Sequence, residues 1–302
     1  MLQAKILVAV SGGNDSVSLL NLMSEYIDIK RLTVGHVNHN TRSKASKSDA
    51  TFVRGMARSL GCRFLSKTLP PPTRRLSEEG LRKARYLALE TLAVQAGASQ
   101  VALAHTADDQ AETLLLRLTR GTGLAGLAGM PESRPLGRVR LVRPLLEIPR
   151  KDLGEYLKRH RIPFRTDGSN RDLGYARNRI RLKVLPQLAR INPRVREALL
   201  RLSTQAQEAS ETLSRKGLAK SPKTISIKNG CILLKSKELS KNTPSIRAEL
   251  WRRAYARLGN GRTLNASHLE ALETLNRSGK GRVALPGKIS ARRSGPDVII
   301  QA

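Results

Sequence analysis

The stretch from Ile6 to Met23 constrains this 302-residue chain more than any other. An unbroken apolar run, Ile6–Val10, leads into Ser11-Gly12-Gly13-Asn14-Asp15-Ser16, and a helical pattern leaves from Val17. A short apolar run without polar alternation reads as a strand buried on both faces. A strand that turns through two glycines straight into a helix leaves unpaired backbone N–H groups at the positive end of the helix dipole. Such a cup takes a phosphate group. Gly12 and Gly13 permit positive φ and close approach of a ligand. Ser11 and Ser16 add hydroxyls, and Asp15 is placed to hold a metal ion. No Gly-Lys-Ser/Thr follows, so the lysine of the Walker loop is missing.

Strand patterns at 6–10, 32–37, 63–68 and 101–104 alternate with helix patterns at 16–25, 46–60, 77–96 and 109–118. This alternation predicts an α/β fold with a parallel sheet and helices on both faces. Ligands of such sheets bind beyond the carboxyl ends of the strands. Three polar clusters fall there: Ser11–Ser16, His36–Arg42 and His105–Glu112. Leu69–Thr73 reads as a stiff connector, 121–135 as a Gly-rich loop, and Pro149–His160 as a helix. The expected layout is a nucleotide-binding domain over residues 1–192, a linker helix at 193–216 and a small α+β domain at 217–302. In the last, Asn229-Gly230 reads as a hairpin turn.

Charge narrows the partner. The chain has 55 Lys+Arg against 24 Asp+Glu, a net charge of +31. Residues 1–100 carry 15 basic and 7 acidic side chains, residues 101–200 carry 20 and 10, and residues 201–302 carry 20 and 7. An excess spread this evenly predicts an extended basic surface for a polyanion rather than a basic tail. With 3% aromatic residues, a row of base-stacking side chains is excluded, and folded RNA or a duplex gripped through phosphates fits better. Cys62 and Cys231 form no CxxC, so neither a zinc ribbon nor a redox pair is indicated. No apolar run reaches membrane-span length, and a strand beginning at Ile6 fits no signal peptide.

The remaining motifs leave choices open. Asp109 and Glu112 share one helix face and suit either Mg²⁺ or an amine substrate. Capping explains one of these acids, not His105, Asp108, Asp109, Gln110 and Glu112 together. His36, His39 and His105 form a weak zinc set, and packing or nucleotide contact suits them better. Gly121-Thr-Gly-Leu-Ala-Gly126 matches GxGxxG but follows a helix, so it reads as a loop. Residues 158–183 hold nine basic side chains against two acids. Within this stretch Arg177, Arg179 and Arg181 alternate with Asn178 and Ile180, so all three cannot share one helical face.

Taken together, the chain resembles a known family. Ser11-Gly-Gly-Asn-Asp-Ser16 is similar to the PP-loop of the ATP pyrophosphatases, a Rossmann-like nucleotide-binding group. The match to tRNA(Ile)-lysidine synthases runs on through His36-Val-Asn-His39, Glu78-Glu-x-x-Arg82-x-x-Arg85-Tyr86 and His105-x-x-Asp108-Asp-Gln-x-Glu112-Thr113. It continues through Gly121-Thr-Gly123, Arg143-Pro-Leu-Leu146, Asp167-x-Ser-Asn170 and Arg177-Asn-Arg-Ile-Arg181. Asn40-Thr41 departs from the Gly-Leu more usual in that family.

The resemblance implies an ATP- and Mg²⁺-dependent ligase in the cytoplasm. It would join free L-lysine to C2 of the first anticodon cytidine of a CAU tRNA(Ile), through an adenylated cytidine. Ser11–Ser16 would seat the pyrophosphate and Asp15 the Mg²⁺. Asp109 and Glu112 would bind lysine or metal, Arg82 or Arg85 would steady phosphate or adenylate, and Arg177, Arg179 and Arg181 would face the substrates. A carboxylate or His105 would serve as base. The chain would be a short form, its oligomeric state left open with a homodimer among the options. The alternatives are a thiolating PP-loop enzyme and a non-catalytic RNA-binding protein.

Overall fold

The computed structural model describes residues 4–38, 43–70, 78–165, 173–228, 230–258 and 263–302. The chain divides into two compact units, Met1–Leu116 with Met130–Leu200, and Arg117–Gly129 with Arg201–Ala302. In chain order the first elements are β1 (Ile6–Ala9), α1 (Asn14–Tyr26), β2 (Leu32–Asn38), α2 (Ser43–Ser59), β3 (Arg63–Thr68), α3 (Glu78–Ala96), β4 (Gln100–Ala102), α4 (Ala107–Thr119) and α5 (Leu124–Leu127). Then come β5 (Ser133–Leu136), β6 (Val139–Val142), α6 (Arg150–Arg159), α7 (Ala176–Arg179), a π-helical turn at Ile180–Val184, α8 (Leu185–Ile191) and α9 (Val195–Thr224).

The sheet of the first unit has the order β3-β2-β1-β4-β6-β5. All its pairings are parallel except β5 with β6. β1 lies centrally, with Val8 opposite Val34 of β2 and Ala102 of β4. The chain leaves β1 in one direction through β2 and β3, then returns to its other side at β4. That reversal is the switch point at which open α/β sheets bind ligands.

Burial explains why β1 is apolar throughout. Ile6, Val8 and Val10 pack with Leu19, Leu20, Val53 and Leu153, while Leu7 and Ala9 pack with Leu89, Leu92, Ala93 and Leu141 on the other face. Gly35 completes this packing: a Cβ there would lie 2.8 Å from Leu7 Cδ2, so the strand gives that space to leucine.

The sequence reading expected a parallel sheet and placed no strand at β5 or β6. The sheet is mixed, because part of the stretch read as a Gly-rich loop forms β5, the antiparallel partner of β6. The hairpin turns at Gly137, whose φ of 52° suits glycine. The GxGxxG match is a turn after α4 holding the short α5, with no strand before it. Arg117 there donates to the carbonyls of Gly126 and Gly129, at 2.7 Å each.

The second unit carries β7 (Ile225–Lys228), β8 (Cys231–Lys235), α10 (Ser236–Ser240), α11 (Pro244–Ala256), α12 (Ala266–Ser278), β9 (Arg282–Leu285), β10 (Ile289–Ser294) and β11 (Asp297–Gln301). Its antiparallel sheet runs β7-β8-β11-β10-β9. The expected hairpin forms, although Asn229 itself lies outside the described residues. β10 is the strand the sequence reading lacked. The core gathers Leu234, Leu250, Trp251, Tyr255, Leu272, Ala291, Val298 and Ile300. Asn265 and His268 form a reciprocal capping box at the start of α12, and Gly279 closes it at a φ of 71°.

Candidate active site

The loop between β1 and α1 is held open from within. Gly12 takes a φ of 95°. Ser16 Oγ accepts from Ser11 N at 3.1 Å and donates to the Gly13 carbonyl at 3.0 Å. The Ser16 hydroxyl therefore braces the loop. Ser11 is exposed and its hydroxyl stays at the rim. No side chain caps α1 at Gly13, and the first intrahelical bond runs from Val17 N to Gly13 O. The amides of Asn14, Asp15 and Ser16 thus lack intrahelical partners, the arrangement a phosphate needs.

A strap lies over this loop. Arg165 N donates to the Gly12 carbonyl at 2.9 Å, its guanidinium meets Asp49 at 3.0 Å, and it stacks 5.2 Å from the centroid of Phe52. Phe52 in turn lies 3.4 Å from where a Gly12 Cβ would be.

Beside the loop, three acids meet three arginines. Asp15 pairs with Arg150 Nε at 2.9 Å, and the same guanidinium reaches Asp109 at 3.2 Å and Glu112 at 3.8 Å. Arg177 binds Glu112 at 2.7 Å and Asp109 at 3.0 Å; Arg181 binds Glu112 at 2.6 Å and Asp109 at 3.5 Å. The second oxygen of Asp109 accepts from the N–H and hydroxyl of Thr106, at 2.9 and 3.0 Å. Arg177 and Arg181 lie four residues apart, on one side of the helical segment, while Arg179 is exposed away from the cluster. As the sequence reading expected, the three do not share one face: Arg179 stands apart from the other two.

Environment separates the acids. Burial raises the pKa of Asp15, partly offset by Arg150. Burial acts the same way on Asp109 but is outweighed by Arg177 and Arg150, so its carboxyl stays below the ordinary range. Glu112 is fully buried, and both its oxygens are taken by Arg177 and Arg181. Asp15 Oδ1 and Asn14 Oδ1 are buried acceptors without a partner. An orphaned carboxylate oxygen beside free amides is the donor set that a Mg²⁺-bound phosphate fits. Among the described residues no cluster of three or more metal-type side chains occurs. Asp15 would therefore share any such ion with phosphate oxygens and water.

The ring of His105 is paired with Arg143. Arg143 Nε donates to its Nδ1 at 3.1 Å, so the neutral ring keeps its proton on Nε2. Burial is the largest cause that lowers its pKa from 6.5 to about 3. The unfolded chain takes up a proton below pH 6.5 that the folded protein refuses, so stability falls as pH drops from there toward 3. Between pH 7.5 and 5 the wild type is expected to lose about 1–2 kcal/mol more than His105→Asn. Urea unfolding of both proteins at the two pH values measures it, and equal losses would show that the ring titrates freely.

The other expected residues lie around this centre. His36 donates from Nδ1 to the Val10 carbonyl at 2.9 Å and is buried, which makes it strand-end packing. Arg85 is partly buried, and burial lowers its pKa; among the described residues no acid pairs with it. Arg82 is exposed, 5.5 Å from the centroid of Tyr86. His39–Arg42, Asp167–Asn170 and the side chains of Glu78 and Glu79 lie outside the described residues.

Sequence reasoning missed Arg150; Asp108 was named in its motif and Arg165 fell inside the basic stretch 158–183, neither with a role of its own. Asp108 accepts from Arg150 N at 2.8 Å and pairs with Arg196 at 2.9 Å. A signal for Arg150 was present: a cation at the first position of a helix opposes the dipole, so its placement after Pro149 asks for a reason.

Comparison with known proteins fits this geometry. The family model of a PP-loop domain matches residues 1–188. A tRNA(Ile)-lysidine synthase of Solibacter usitatus is 36% identical over 96% of this chain and 66% of its own length. That of Geobacter sulfurreducens is 35% identical over 96% of this chain and 63% of its own. The chain thus spans a little under two thirds of these relatives. The tRNA(Ile)-lysidine synthase of Gloeobacter violaceus is 37% identical over 88% of this chain and 81% of its own length. Among solved structures, the U34-tRNA thiolase NcsA from Methanococcus maripaludis superposes with a TM-score of 0.57 at 16% identity, over 69% of this chain and 74% of its own, a likeness of fold. With the PP-loop domain matched and a relative covered over most of its length, the chain belongs to the tRNA(Ile)-lysidine synthase family of PP-loop proteins.

Proposed function

We propose that this protein joins lysine to C2 of the first anticodon cytidine of a CAU tRNA(Ile), with ATP converted to AMP and pyrophosphate. The observation that carries the reading is the meeting of Asp15 of the phosphate loop with Asp109 and Glu112 around one guanidinium. It supports a reading in which a triphosphate site and an ammonium site lie within one side chain's reach. The free amides of residues 14–16 and Ser11 hold the pyrophosphate, and Asp15 holds Mg²⁺. When bound, that ion neutralises charge on the phosphates.

Asp109, held ionised by its arginines, attracts the lysine ammonium. Glu112 fixes Arg177 and Arg181 for the phosphate side of the substrates instead of touching lysine itself. Arg82 and Arg85 steady the adenylate, and Arg179 meets tRNA. His105 donates from Nε2 and positions rather than removes a proton, leaving a carboxylate as acceptor for the proton that the amine loses.

We assign catalysis to residues 1–192 and tRNA binding to residues 217–302, with the segment between them in α9. The net charge of +31 suits that partner. No helix among the described residues is long and apolar enough to cross a membrane, and the cytoplasm, where tRNA and ATP meet, is the expected compartment. Thiolation has less support: the cysteines are two, Cys62 buried and Cys231 in the other unit, and the likeness to a thiolase is one of fold.

The purified protein with ATP, Mg²⁺ and labelled lysine is expected to label a CAU tRNA(Ile) and not an elongator methionine tRNA. No incorporation, or equal labelling of both, overturns the reading.

A further inference from the structure

Arg150 is an odd cation. It opens α6, where the dipole repels positive charge. Its own N–H is tied to Asp108 at 2.8 Å, which anchors the backbone and leaves the side chain as the part free to swing. Arg177 and Arg181 already pair with Glu112 and reach Asp109. Arg150 is therefore a third cation on an acid pair that has two. It is also the cation that reaches across to the phosphate loop, at Asp15. Its side chain is 27% exposed, much as those of Arg177 and Arg181 are at 24% and 25%, so its reach to Asp15 and not its exposure sets it apart. The other oxygen of Asp15 is buried without a partner.

We propose that Arg150 is the resident counter-ion of Asp15 and Asp109, drawn off by a Mg²⁺-bound nucleoside triphosphate on the loop, which opens Asp109 to the ammonium of the incoming amino acid. This deepens the lysine-ligase reading and rests on it. A guanidinium and a primary ammonium compete for one oxygen, Asp109 Oδ1. Triphosphate oxygens suit the arginine fork at least as well as a single carboxylate does. A cation arriving at Asp15 also repels Arg150. Once the guanidinium has turned away, the acids around Asp109 have lost one positive charge, and the ammonium restores it. Without nucleotide, lysine meets acids already neutralised. Nucleotide and lysine then tighten each other's binding by the same factor.

Calorimetry on the full chain tests this, titrating lysine with and without a non-hydrolysable ATP analogue and Mg²⁺, in the absence of tRNA. Wild type is compared with Arg150→Gln, Arg150→Lys and Lys151→Gln. The last removes the same charge from an exposed neighbour that pairs with Glu155. The nucleotide is expected to tighten lysine binding about tenfold or more in wild type and Lys151→Gln, within the usual range of coupling. Arg150→Gln should bind lysine without nucleotide, with the nucleotide effect cut to about twofold or less, and Arg150→Lys should fall between. Wild-type coupling in Arg150→Gln, or equal loss in Lys151→Gln, overturns the proposal. No lysine binding by any protein in any condition overturns the lysine reading itself, and this proposal with it.

Discussion

Glu112→Gln is expected to destabilise the first unit by about 3–5 kcal/mol, the usual result of removing one partner from a buried ion pair. The side chain is isosteric, so no cavity forms. What is lost is the negative charge that Arg177 and Arg181 share through bonds of 2.6, 2.7 and 3.0 Å. The new amide NH₂ would point its hydrogens at guanidinium donors. Nearby Asp109 cannot replace Glu112, because it already receives Arg150, Arg177 and Thr106. Thermal unfolding should shift down by roughly 6–15 °C for a unit of this size. Glu112→Asp, which keeps the charge, should lose less. A loss below about 1 kcal/mol for Glu112→Gln would mean that water already solvates the two arginines.

Trp251→Ala is expected to cost the second unit about 3–5 kcal/mol, the range for deleting a large buried aromatic side chain. Trp251 is fully buried among Leu250, Leu272, Ala291 and Val298. Its indole N–H donates to Glu273 Oε1 at 2.8 Å, and the other oxygen of Glu273 meets Arg247 at 2.8 Å. The substitution therefore leaves both a cavity and a carboxylate with one partner fewer. Amide exchange in β8, β10 and β11 should quicken by roughly two to three orders of magnitude, while β1 and β4 keep their rates. Trp251→Phe restores most of the volume but not the bond, and separates the two causes. Unchanged exchange in β8 would show that this tryptophan does not hold the sheet. As the chain has one Trp, its fluorescence in the wild type follows the second unit by itself.

The parts of the fold that the sequence announces are those whose physics is local. Ile6–Val10 is apolar because helices cover both faces of β1, and Gly12 after it follows from a loop that needs a φ of 95°, while Gly13 takes an extended φ of −77°. α3 carries helical periodicity, and its observed limits lie within a residue of the expected 77–96. β5 and β10, like the short β6, escaped for a different reason. Arg134, Arg292 and Arg293 interrupt their alternation, and each strand gets its hydrogen bonds from a neighbour rather than from its own pattern.

The same distinction divides the site. Asp15, Asp109 and Glu112 are visible as acids at helix starts. Arg150 is not, because Asp15, its closest partner, lies 135 residues away. Arg165 likewise meets Asp49 across 116 residues. His105 was visible as a residue but not as a protonation state, since Arg143, which sets its tautomer, lies 38 residues on.

The six-stranded sheet ends in β3 on one side and β5 on the other. Among the described residues each presents a row of backbone groups with no further strand to receive them, which is the template on which sheets from separate chains stick together. Both margins are guarded. β3 sets exposed Arg63 and Lys67 along its length, and β5 contains Pro135, which has no N–H to offer. Another copy approaching either margin meets like charge or a broken ladder. Arg63 and Lys67 on β3 are thus gatekeepers of the kind that matter during synthesis, when such margins are most open to misassembly.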